Sequence, residues 1–113
     1  MKTSVETAGA VTILHLSGRL DTKGASDLEK EIQTILPSVA KHLLLHLKDV
    51  DYVSSSGLRV LLSAAKSLKQ QEKSLALAHL QEQVREVFDL TGFSGLFAVF
   101  TTIEEGKNGL PEQ

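Results

Sequence analysis

Short apolar runs along this chain alternate with stretches in which apolar residues recur every three or four positions. Val11 to Ser17 is the first clear run. Val11 and Ile13 fall on one side of an extended chain and Leu14 and Leu16 on the other, which marks a strand covered on both faces. Gly18 breaks it. Ala25, Leu28, Ile32, Ile35 and Leu36 then line one stripe of a helix over roughly 22–36, which Pro37 ends. His42 to Leu47, HLLLHL, reads as a buried strand. Leu58, Leu61, Leu62, Ala65 and Leu68 form a second helical stripe, with Lys66 and Lys69 near its C-terminus, where the helix dipole favours cations.

Ser74 to Leu80 is a further strand, and Val84, Val87 and Phe88 mark a helix that stops near Gly92. Leu96 to Phe100 is the last strand. Thr102 and Glu105 have the spacing of a capping box for a short final helix. The polar tail over 105–113 is expected to fray. At the other end, Thr3 to Thr7 is a strand joined to the next by a tight turn at Ala8-Gly9-Ala10. Strands and helices that alternate in this way predict an α/β fold: a mostly parallel sheet of four to five strands, an antiparallel first strand and about four helices.

With 113 residues, one domain spanning 1–113 is the expectation, and 42% hydrophobic residues give it a core. A net charge of −2 supplies no basic footprint for nucleic acid or for an anionic membrane surface. Aromatic residues are 4% of the chain, too few for base-stacking platforms. No apolar run approaches the ~18 residues of a membrane span, and no leader-like segment opens the chain, so a cytoplasmic protein is expected. Cysteine is absent, which removes disulfides, thiol nucleophiles and cysteine zinc sites together.

Functional groups are densest over Asp49-Val50-Asp51-Tyr52-Val53-Ser54-Ser55-Ser56-Gly57, between a buried strand and a helix. Ligands and partners of open α/β sheets gather at such strand ends, and a helix N-terminus there offers unpaired N–H groups to a hydroxyl or its phosphate. Serine is also a preferred N-cap, so one of the three serines is expected to be only that. A nucleophile elbow is missing, since no glycine stands two positions before any of them. His15, His42, His46 and His79 all fall in predicted strands, where they read as framework residues and not as a catalytic base. His42 and His46, four apart in a strand, would sit about 13 Å from each other, too far to share an ion. Phosphate-binding glycine loops are absent, and no acidic pair follows the earlier strand to hold magnesium. No catalytic residue, cofactor or metal is therefore expected.

Lys48 to Lys66, KDVDYVSSSGLRVLLSAAK, resembles the signature of STAS domains, and more narrowly that of bacterial anti-sigma factor antagonists. Leu14 to Ile32 is similar to the family's second strand, acidic turn and first helix, and Val84 to Gly106 to its closing helix, last strand and C-terminal helix. The resemblance implies a binding protein that takes up an anti-sigma factor, itself a serine kinase of the GHKL type, and so releases a sigma factor. It implies that the kinase phosphorylates a serine and breaks the complex, and that a metal-dependent serine phosphatase restores it. The acceptor implied is the residue two before the motif glycine, Ser55, with Ser54 and Ser56 as alternatives. Many members carry Asp just before the acceptor, where this chain has Ser54. Asp21 corresponds to the acidic turn residue, whose other reading is a helix cap. Ser54, Ser55, Ser56, Gly57 and Arg59 would then form the partner face with Asp21. Single STAS-like domains also serve phospholipid-transport and stress-signalling complexes, which is the alternative the resemblance leaves open.

Overall fold

The computed structural model describes residues 1–111. Five strands form one sheet in chain order: β1 (Lys2–Ala8), β2 (Val11–Leu20), β3 (His42–Val53), β4 (Ser74–Ala78) and β5 (Ala98–Phe100). β1 runs antiparallel to β2, and the other neighbours are parallel. The helices are α1 (Thr22–Ile35), α2 (Ser55–Gln70), α3 (Glu82–Thr91) and α4 (Ile103–Gly109). Gly92, at φ 78°, ends α3 in the left-handed conformation that glycine adopts without strain.

Two apolar layers flank the sheet. Leu14, Leu16, Leu43, Leu45 and Leu47 pack with Leu28 and Ile32 of α1, Leu61 and Leu68 of α2, and Val84 and Phe88 of α3. Val11, Ile13, Leu44, Ala76 and Ala78 form the smaller layer, covered by Phe100, Ile103 and Leu110. Central strands are thus buried on both faces, as their runs of Leu, Ile and Val require.

Five boundaries differ from expectation. Gly18 does not break β2, which runs through it to Leu20, paired with β3 as far as Val53. β5 starts at Ala98 and not at Leu96, because Phe93–Leu96 winds into a 3-10 turn before it. β3 continues past Leu47 to Val53, because its pairing with β2 slips twice: His15 pairs with His46 but Ser17 with Asp49, and Gly18 pairs with Val50 but Leu20 with Val53. Each slip places an extra residue on β3, so Val50 and Val53 both point inward although three positions apart. β4 stops at Ala78, and His79 adopts φ 59°. The segment from residue 105, expected to fray, is helical through Gly109. Gly106 and Gly109 let α4 approach Leu44 and Phe100, where an added Cβ would lie 2.8 Å and 2.7 Å from their side chains. Beyond the helix, the carbonyl of Pro111 accepts a hydrogen bond from His42 Nε2. The final two positions, 112 and 113, lie outside the described residues.

Candidate functional site

The C-terminal end of β2 organises the site. Asp21 follows that strand and caps α1, its Oδ1 accepting from the N–H of Gly24 at 2.8 Å. Ser54 follows β3 and caps α2, its Oγ accepting from the N–H of Gly57 at 3.1 Å. The Ser54 hydroxyl also donates to the carbonyl of Leu20 at 2.9 Å. Both helices begin with the same device, a capping side chain three residues before a glycine. Neither glycine has room for a side chain. A Cβ on Gly24 would meet the Arg19 carbonyl oxygen at 2.1 Å, and one on Gly57 would meet Leu20 Cγ at 2.7 Å. Close approach to β2 therefore brings two helix N-termini, each with partial positive charge, to the same end of the sheet.

The six residues singled out in the sequence fall into two groups. Asp21, Ser54 and Gly57 build the corner: two caps and a buried contact glycine. Ser55 opens α2 and is exposed, Ser56 is half-buried, and Arg59 is exposed one turn further on. Ser55 and Arg59 edge a groove floored by Leu58, Leu62 and Phe93 and closed by Thr91. Further along α2, Leu62 and Ala65 continue the groove beside Leu96, which is 62% exposed, with Lys66 and Lys69 on its rim.

A neighbouring pair went unnoticed in the sequence. The Arg19 guanidinium lies 4.3 Å from the centre of the Tyr52 ring, a cation–π contact across the ends of β2 and β3. The slipped β2–β3 register places them side by side, and no local motif announces it. Gln81 and Gln83 tie α3 to the same strand, donating to the carbonyls of Lys48 at 2.7 Å and Asp51 at 3.4 Å.

The histidines make their contacts elsewhere. His15 bonds Glu6 and His46, and His42 bonds Ser74 and the Pro111 carbonyl. Ser54 spends its hydroxyl on the cap and on Leu20. The corner therefore holds an exposed hydroxyl at a positive helix end beside an apolar groove with a basic rim. Added negative charge is tolerated at such a helix end.

The family model described as STAS domain matches residues 2–106. The chain belongs to the STAS domain family. Among curated relatives of this STAS chain is BtrV of Bordetella bronchiseptica, provisionally named an anti-sigma factor antagonist. It is 36% identical over 98% of this chain and 99% of its own. The anti-sigma-B factor antagonist of Bacillus subtilis is 31% identical over 82% of this chain and 84% of its own. Among solved structures, the Bacillus anti-sigma factor antagonist SpoIIAA matches in its unphosphorylated form with TM-score 0.77 over 97% of this chain and 99% of its own, at 19% identity. Its phosphorylated form matches with TM-score 0.73 over 97% and 100%, also at 19% identity. At that identity the structural likeness establishes the fold, a STAS sheet with one antiparallel edge strand.

Proposed function

We propose that this STAS protein is an anti-sigma factor antagonist. It binds an anti-sigma factor that is a GHKL-type serine kinase, releases a sigma factor by doing so, and is switched off when that kinase phosphorylates Ser55. A metal-dependent serine phosphatase reverses the modification. The names of the relatives support the first part of this reading. One observation carries the second: Ser54 is committed to the cap by two hydrogen bonds, while the next residue, Ser55, is exposed at the first position of α2.

The electrostatics favour a switch without refolding. A phosphate adds about −1.5 to −2 charges, and a helix N-terminus offsets such charge by roughly 0.3–1 kcal/mol. A carboxylate across the interface feels the opposite. Unit like charges ~6 Å apart repel by about 2–3 kcal/mol at an effective dielectric near 20, before salt screening. Two such contacts lower affinity by a hundredfold or more at ~1.4 kcal/mol per tenfold. Arg59, one turn below Ser55 on the groove edge, belongs to the same docking face in this reading.

Incubation with the kinase that co-purifies with the protein, followed by mass-spectrometric site mapping, tests the proposal. Label on Ser55 that disappears in Ser55→Ala, together with weakened kinase binding by Ser55→Asp, is the expected result. Undiminished label in Ser55→Ala overturns the site, and capture of transporter subunits in place of a kinase overturns the function.

A further inference from the structure

Helix α2 carries charge of one sign only. Its 16 residues include Arg59, Lys66 and Lys69 and no Asp or Glu, in a chain whose net charge is −2. All three cations are exposed, and among the described residues none of them forms an ion pair. The helix dipole accounts for Lys69 in the last turn but not for Arg59 near the start. The spacing of Arg59, Leu62, Lys66 and Lys69 keeps them on one stripe of the helix. That stripe rims a groove with an apolar floor. Leu58, Leu62 and Phe93 form the floor at the Ser55 end, and Leu62, Ala65 and Leu96 form it further on. Among the described residues no carboxylate lines either stretch. Leu96 leaves 62% of its surface to solvent beside these apolar neighbours. From Ser55 to Lys69 the groove runs about 21 Å, the length of a helix of about four turns.

We propose that this groove takes an amphipathic helix of the partner protein, one whose apolar stripe is flanked by Asp and Glu. Its apolar side chains fill the floor between α2 and Leu96, and its carboxylates meet Arg59, Lys66 and Lys69. A rim of one sign repels a basic helix as it draws an acidic one. An anionic bilayer shares the sign, but it is entered by apolar groups that project, and these line a groove. The proposal deepens the reading of Ser55 and rests on it for one step. Ser55 edges the same groove, so a phosphate there repels the carboxylates that Arg59 attracts.

Two helical peptides of about 18 residues serve as probes, each with one leucine stripe, flanked by Glu in one and by Lys in the other. Each is titrated into the isotope-labelled full chain and followed by amide NMR shifts. The Glu-flanked peptide should bind at least tenfold more tightly at low salt and lose that advantage as NaCl is added. It should shift the amides of Leu62, Ala65 and Leu96. Lys66→Glu/Lys69→Glu should weaken it at least tenfold, and Leu96→Ser should weaken it several-fold. All three positions are exposed, so the melting temperatures of these variants should match that of the unaltered protein. Equal affinity for the two peptides, or no saturable binding below about 1 mM, overturns the proposal. So do shifts confined to other surfaces, or binding to phosphatidylglycerol vesicles in preference to the peptide. The partner kinase separates this proposal from the switch. If Lys66→Glu/Lys69→Glu loses the kinase while Ser55→Asp keeps it, the groove stands and the switch falls. The opposite pair of results leaves the switch and overturns the groove.

Discussion

The backbone N–H and the side-chain hydroxyl of Ser54 both donate to the carbonyl oxygen of Leu20, each at 2.9 Å. One serine thereby closes the end of the β2–β3 pairing and starts α2. Ser54→Ala removes the cap for the Gly57 N–H and one of the two donors to Leu20. It should destabilise the fold by about 1–2 kcal/mol, read as a lower urea midpoint with unchanged slope. Ser54→Asp keeps an acceptor for Gly57 but sets a carboxylate against the Leu20 carbonyl, so it should recover only part of the loss.

Gly24 and Gly57 perform matching tasks against different obstacles. A Cβ at Gly24 meets a backbone carbonyl oxygen at 2.1 Å, whereas at Gly57 the nearest atom is the Leu20 side chain at 2.7 Å. Both alanine variants force a helix away from β2, at a cost of typically 1–3 kcal/mol. Gly24→Ala should be the more damaging, because the peptide unit cannot rotate aside as a leucine side chain can. Thermal melts of the two variants in one buffer decide it, and equal losses would mean that α1 shifts as freely as α2.

The sequence carried most of this architecture in its periodicity. The stripe from Ala25 to Leu36 and the HLLLHL run each name one element, because burial on one face or on both writes itself into local spacing. The full length of β3 was hidden, since two slips in register break the alternation at Asp49 and Asp51. The ordered end of the chain was hidden too. Gly106 and Gly109 look like breakers locally, and only contact with Leu44 and Phe100 turns them into a packing surface. At the corner, three serines in a row marked the place but not the division of labour. The cap-x-x-Gly spacing shared by Asp21-Gly24 and Ser54-Gly57 is the local sign that Ser54 is the cap. The pairing of His15 with His46 is a matter of strand register, which spacing within either strand does not contain.

Stability should fall as the solution is acidified from about pH 7.5 to 5.5. Burial, then the neighbouring His15 and His79, hold His46 below the ordinary histidine value of 6.5, with Asp49 opposing them in part. The unfolded chain therefore binds the proton more readily than the folded one. The contribution of neutral His46 is complete above the unfolded value and is lost as pH drops below it. Glu6 and Asp27, both held below their usual carboxylate values, keep their charge across this window and add no slope. Urea midpoints at the two pH values should differ for the unaltered protein and differ less for His46→Gln. A midpoint that rises on acidification would reverse the sign argued here.

Charge at Ser55 should act in opposite directions on folding and on binding. Ser55 is the first residue of α2, where free N–H groups and the helix dipole favour an anion. Ser55→Asp should therefore leave the fold intact and stabilise it by about 0.3–1 kcal/mol, with the gain shrinking as salt is added. The same substitution should weaken the partner complex, because the groove edge it shares with Arg59 then carries the wrong sign. Comparing Ser55→Asp with Ser55→Asn separates charge from shape. If charge is the cause, only the aspartate raises the melting temperature and only the aspartate loses the partner. Amide NMR shifts supply the structural half of the test. Changes confined to residues near the start of α2 fit local repulsion, whereas shifts reaching the Val11–Ile13 layer would mean that the sheet itself rearranges.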